Sequence, residues 1–144
     1  MKNLYIAYGS NMDKEQMKFR CPNAKFRGAG YLDGQRLEFY LHATIEPCEK
    51  GRVPVAVWEV TESDVKNLDI YEGYPRYYKT ADFSVKLNDG NTLKGFAYVM
   101  NKIRVSPPDY DYFERIAESY ISLGFGGELK ELNGALKRAY TRQK

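Results

Sequence analysis

Apolar positions are grouped in short strand-like runs through most of this chain and in helical stripes toward its end. Leu4 to Tyr8 is a β-rich run bounded by Gly9, which predicts a strand. After the Gly9-Ser10-Asn11 turn a helix is expected, with Asp13 as its cap and Gln16 completing a capping box. Met12 and Met17 are spaced as a hydrophobic staple, and Cys21-Pro22-Asn23 ends the helix. Strands and turns follow from Phe26 to Trp58, with a turn at Asp33-Gly34, a strand at Arg36 to Leu41 and another at Val53 to Val60. Pro54 falls near the start of that last strand, where a strand tolerates it.

Thr61-Glu62-Ser63-Asp64 opens a second helix as a capping box, with Val65 and Leu68 on its inner face. Tyr77 to Leu87 and Thr92 to Met100 read as a hairpin around Asn88-Asp89-Gly90-Asn91. Ser106-Pro107-Pro108-Asp109 breaks the chain. Two amphipathic helices then carry the stripes Phe113, Ile116, Tyr120, Leu123 and Leu129, Leu132, Leu136, Tyr140. Strands first, with helices interspersed and last, predict an α+β fold around a mixed or barrel-like sheet.

The 144 residues suffice for one core and not for two, so a single domain over 1–144 is expected. Tyrosine is over-used, with 13 copies beside 7 Phe and 1 Trp. A half-buried sheet explains most of them, and a core with a polar pocket is the other reading. Net charge is only +3, with Lys and Arg scattered among Asp and Glu, which excludes a basic nucleic-acid surface. Met1-Lys2-Asn3-Leu4 runs straight into a strand and no apolar segment spans a membrane, so a cytoplasmic protein without membrane partners is expected. Cys21 and Cys48 match no metal or redox spacing and read as reduced thiols. The lone His42 argues against a multi-histidine metal site, and a Ser–His hydrolase would need His42 itself as base.

Two segments carry candidate chemistry. On the helix after Thr61, Glu72 lies within about 40° of Val65 and Leu68 around the axis, at roughly 100° per residue. Its carboxylate therefore projects from the inward face at the last turn, where desolvation and the negative helix end both raise a carboxylate pKa. Gly73 and Pro75 stop the helix there, so a frayed, solvated Glu72 is the competing reading. The second segment is Tyr8-Gly9-Ser10-Asn11. A Gly after a strand lets backbone approach a ligand, and the N–H groups of Ser10, Asn11 and Met12 suit a carboxylate or phosphate. An ordinary capped turn would look the same. Ser10 has no base beside it in sequence and is a poor nucleophile.

Together, Tyr8-Gly9-Ser10-Asn11-Met12, Leu68-Asp69-Ile70-Tyr71-Glu72-Gly73 and the downstream Tyr77-Tyr78 resemble the gamma-glutamylcyclotransferase-like (AIG2-like) family. Cys21-Pro22-Asn23-Ala24, Ala43-Thr44-Ile45-Glu46-Pro47 and Trp58-Glu59-Val60-Thr61 are similar to its bacterial branch, and the likeness extends over nearly the whole chain. The resemblance implies a small mixed β-barrel with helices packed around it. It implies an intramolecular acyl transfer, in which the α-amino group of a γ-glutamyl amide attacks its own side-chain carbonyl, releasing an amine and 5-oxoproline. Glu72 takes the acid–base role, while Tyr8, Gly9, Ser10, Asn11 and Met12 form the substrate-binding loop. Tyr78, or Tyr77 in its place, and Tyr120 are candidates to line the pocket. The implied chemistry needs no metal or cofactor, and the expected partner is a small γ-glutamyl molecule. A non-catalytic domain binding an acyl or amino-acid ligand on the same scaffold is the alternative.

Overall fold

The computed structural model describes residues 3–101 and 106–143. Five strands close into a barrel in the order β1-β3-β2-β4-β5: β1 Asn3–Ala7, β2 Lys25–Tyr40, β3 His42–Val60, β4 Tyr78–Leu87 and β5 Thr92–Met100. Four helices surround it: α1 Lys14–Arg20, α2 Glu62–Glu72, α3 Tyr110–Ser122 and α4 Leu129–Gln143. The fold is α+β, and its mixed character comes from one seam. Tyr5 on β1 pairs in parallel with Phe96 on β5, whereas every other strand pair is antiparallel.

The long β2–β3 ladder supplies most of the wall. Asp33-Gly34, expected as a turn, is instead an irregularity within β2, because Asp33 still pairs with Arg52 and Gln35 with Pro47 of β3. β2 also pairs with β4, where Gly30 meets Leu87. A β-carbon at Gly30 would lie 2.2 Å from the Lys86 carbonyl oxygen, so only glycine permits this closing contact. Ile6, Phe39, Val55, Val57, Val85 and Ala97 fill the interior.

Side-chain caps start the first two helices. Thr61 and Asp64 form the expected reciprocal capping box of α2. Asp13 caps α1 by accepting from the Glu15 N–H, but Gln16 does not complete a box. It donates to Asn11 Oδ1 at 3.3 Å instead, drawn to the preceding turn. In α4 the buried positions are Leu132, Ala135 and Ala139, while Tyr140, expected on the inward stripe, is exposed. The small alanines let α4 approach β2, where Glu38, fully buried, is gripped by Arg138 at 2.6 Å, Arg142 at 2.7 Å and Arg36 at 2.9 Å. Among the described residues, no helix is long and apolar enough to cross a membrane.

Candidate active site

One cavity of about 420 Å³ opens where the end of β1, the turn after it, the β2–β3 connection and the end of α2 converge. Eight of the thirteen tyrosines line it: Tyr5, Tyr8, Tyr40, Tyr71, Tyr77, Tyr78, Tyr98 and Tyr112. The tyrosine excess therefore serves a polar pocket more than a half-buried sheet.

Of the residues singled out in the sequence, Tyr8, Gly9, Ser10, Asn11, Glu72 and Tyr78 share this cavity, and Tyr77 stands at its more exposed edge. Met12 and Tyr120 are placed elsewhere. The Met12 N–H is committed to the Gly9 carbonyl, and its side chain is buried in the core. Tyr120 packs edge-on against Phe125, two turns of α3 and about 12 Å along the axis from the pocket residue Tyr112.

Glu72 is the last residue of α2. Gly73 follows at φ 66° and its N–H closes the helix on Asp69 and Ile70, a left-handed stop that costs a glycine nothing sterically. The helix thus delivers the carboxyl to the cavity without continuing past it. Although Glu72 keeps some surface toward the open space, burial dominates and pushes its pKa up to about 7, with the Arg20 guanidinium opposing the rise. It is the single carboxylate among the lining residues.

The phenols around it are fixed in two orientations. Tyr8 donates to the Tyr98 carbonyl, Tyr78 to the Ala43 carbonyl at 2.7 Å, and Tyr98 to Asp69 Oδ1 at 2.6 Å. These hydroxyls have given their protons to the wall. Tyr5 and Tyr112 do the reverse, accepting from Asn11 Nδ2 at 3.1 Å and from the Ala43 N–H at 3.0 Å. Their own protons are left to point elsewhere, and both residues line the cavity. Burial, reinforced by the Glu72 charge, holds Tyr5, Tyr8, Tyr78, Tyr98 and Tyr112 above the ordinary phenol range, so they stay neutral where Glu72 titrates.

Sequence reasoning missed Tyr5, Tyr98 and Tyr112. Tyr112 was legible: it sits four residues before Ile116, which is buried, so the two share a helix face. Tyr5 and Tyr98 lie on strands that meet only when the barrel closes. Asp69, part of the same motif as Glu72, is the long-range acceptor for Tyr98.

A small mixed barrel that seats one buried carboxyl and a glycine turn in a single tyrosine-lined cavity holds the parts that acid–base chemistry needs. Sequence comparison specifies which scaffold. The family model described as "Gamma-glutamyl cyclotransferase, AIG2-like" matches residues 5–118, and the chain belongs to that family. It is 28% identical over 141 residues to the mouse "Gamma-glutamylcyclotransferase", covering 89% of this chain and 75% of that protein. To the human protein of the same name it is 29% identical over 122 residues, covering 76% of this chain and 65% of the relative. A solved structure named "Gamma-glutamyl cyclotransferase" superposes with a TM-score of 0.83 at 26% identity, covering 94% of this chain and 88% of the other.

Proposed function

We propose that this protein is a gamma-glutamylcyclotransferase-like enzyme that converts a γ-glutamyl amine or γ-glutamyl amino acid to 5-oxoproline and the free amine. The observation that carries the reading is the seating of the Glu72 carboxyl in the cavity that also holds the Gly9-Ser10-Asn11 turn, where burial pushes its pKa up to about 7. A group poised near neutrality is the best compromise between base and acid.

Ionised Glu72 takes a proton from the substrate's α-ammonium. The freed amine attacks the γ-carbonyl carbon of the same molecule, closing a five-membered ring and placing the former π pair on oxygen. Backbone N–H groups of Ser10 and Asn11 and the hydroxyls of Tyr5 and Tyr112, which accept from the wall, are the candidate donors for that oxyanion and for the α-carboxylate. Protonated Glu72 gives its proton to the leaving nitrogen as the oxyanion re-forms the carbonyl and the C–N bond breaks; the regenerated carboxylate then takes the second proton from the ring nitrogen, leaving the neutral lactam, and passes it to the released amine. Electrons and protons balance without an external nucleophile. Holding the substrate folded in the cavity supplies the proximity that ring closure needs.

A panel of γ-glutamyl amides, scored for 5-oxoproline, tests the reading beside Glu72→Gln. Product from the wild type and loss of at least about a hundredfold in the variant, with ligand binding kept, supports it. Binding without product in the wild type would make the cavity a ligand site instead.

A further inference from the structure

Arg20 is the last residue of α1 and lies outside the cavity, yet two of its contacts reach cavity residues and a third ties α1 to α2. Its Nη1 donates to Asn11 Oδ1 at 2.6 Å, the shortest bond that amide makes. Its guanidinium lies over the Tyr71 ring, 3.2 Å from the centroid. Its backbone carbonyl accepts from Asn67 Nδ2 of α2 at 3.2 Å, joining α1 to the helix that carries Glu72.

The first contact has a directional consequence. Arg20 and Gln16 both donate to Asn11 Oδ1, so the amide oxygen must face α1. Asn11 Nδ2 is then turned toward Tyr5 and donates to its hydroxyl. That bond obliges the Tyr5 oxygen to accept, which leaves the phenol proton uncommitted to the wall. Reversing the amide would present an oxygen to Tyr5 and draw that proton back. The polarity of the pocket floor is thus written by a residue that does not touch it.

We propose that Arg20 is a positioning residue for the reaction: through Asn11 it sets the hydrogen-bond direction of Tyr5, and by stacking on Tyr71 it holds the wall next to Glu72. Its charge adds a second effect, since Arg20 is what restrains the rise of the Glu72 pKa. Other groups facing that carboxyl are the neutral phenols of Tyr5 and Tyr8 at the β1 end, Tyr78 of β4, Tyr98 of β5 and Tyr112 of α3. Asp69 of α2 is bonded to Tyr98. His42 of β3 lines the same cavity and is the type of side chain that titrates near neutrality, so Glu72 must be followed directly.

The proposal rests on the cyclotransferase reading for its rate measurement only; the titration stands without it. Carbon-13 NMR of the glutamate carboxyls follows Glu72, identified by its absence in Glu72→Gln, in wild type, Arg20→Gln, Arg20→Lys and Asn67→Ala. Arg20→Gln is expected to move the Glu72 midpoint up by about one unit, the lower end of what a neighbouring arginine does to a carboxylate. Arg20→Lys keeps the charge and holds the midpoint near wild type, but an ammonium cannot both stack flat on Tyr71 and reach Asn11. In 5-oxoproline assays both Arg20 variants are expected to lose about tenfold or more in kcat, with KM changed by less than about threefold. Asn67→Ala cuts the α1–α2 tie without touching the guanidinium and should match wild type in titration and kcat. An unmoved midpoint in Arg20→Gln, full kcat in Arg20→Lys, or the same losses in Asn67→Ala would overturn the proposal.

Discussion

Glu72 should destabilise the folded protein at alkaline pH, and the size of the penalty follows from its environment. Burial raises its pKa from 4.5 to about 7, so the folded state binds this proton more tightly than the unfolded chain does. Below about pH 4.5 the carboxyl is protonated in both states and imposes no difference. Between about 4.5 and 7 the unfolded chain ionises first, and stability falls as pH rises. Above about pH 7 the deficit is complete, and a shift of about 2.5 units at about 1.4 kcal/mol each gives roughly 3 kcal/mol. Glu72→Gln replaces the carboxyl with a near-isosteric neutral amide and abolishes this dependence. Urea unfolding, followed by the fluorescence of the sole tryptophan, the buried Trp58, measures both proteins at pH 5 and pH 8.5. The stability of Glu72→Gln relative to wild type should rise by about 2–3 kcal/mol between the two pH values. Titrating groups away from the cavity are common to both proteins and cancel. An unchanged difference would mean that Glu72 is solvated, and the acid–base reading would fall with it.

Three further outcomes are expected. Tyr112→Phe should lower the rate of 5-oxoproline formation roughly tenfold or more by removing a proton donor from the cavity, and cost about 1 kcal/mol by orphaning the Ala43 N–H. Gly73→Ala forces a left-handed residue and sets a β-carbon 2.5 Å from Tyr77 Cδ2; it should lose at least about 1 kcal/mol in urea melts and displace Glu72, lowering turnover as well. Glu38→Gln strips the charge that three arginines share at the α4–β2 contact, and because those arginines are partly solvated the expected loss is about 2–3 kcal/mol by urea midpoint, with activity near normal below the transition.

Local signals carried the second helix, the hairpin and the two late helices, because capping boxes, turn residues and helical stripes act between neighbours in sequence. The position of Glu72 was readable for the same reason: it lies one turn beyond Leu68, which is fully buried. What escaped depended on closure of the barrel. Nothing near Asp33-Gly34 distinguishes a turn from a bend inside a long strand until the pairing with β3 is known. Tyr5 and Tyr98 become pocket residues only because β1 and β5 meet. The arginine grip on Glu38 spans about a hundred residues of sequence, with Arg138 and Arg142 reaching back to β2, and no periodicity encodes it. Tyr140 was misplaced on the inward stripe because hydrophobicity alone ranks a tyrosine above Ala135 and Ala139, whereas close approach of α4 to the sheet selects the smaller side chains.

The most direct test is the pH dependence of single-turnover 5-oxoproline release from a γ-glutamyl amide that the wild type accepts. An acid limb with a midpoint near 7, lost together with the rate in Glu72→Gln, is the result expected of a carboxyl that must ionise before it can take the ammonium proton. A limb near 4.5, or full turnover in Glu72→Gln, would contradict a cyclisation driven by this side chain.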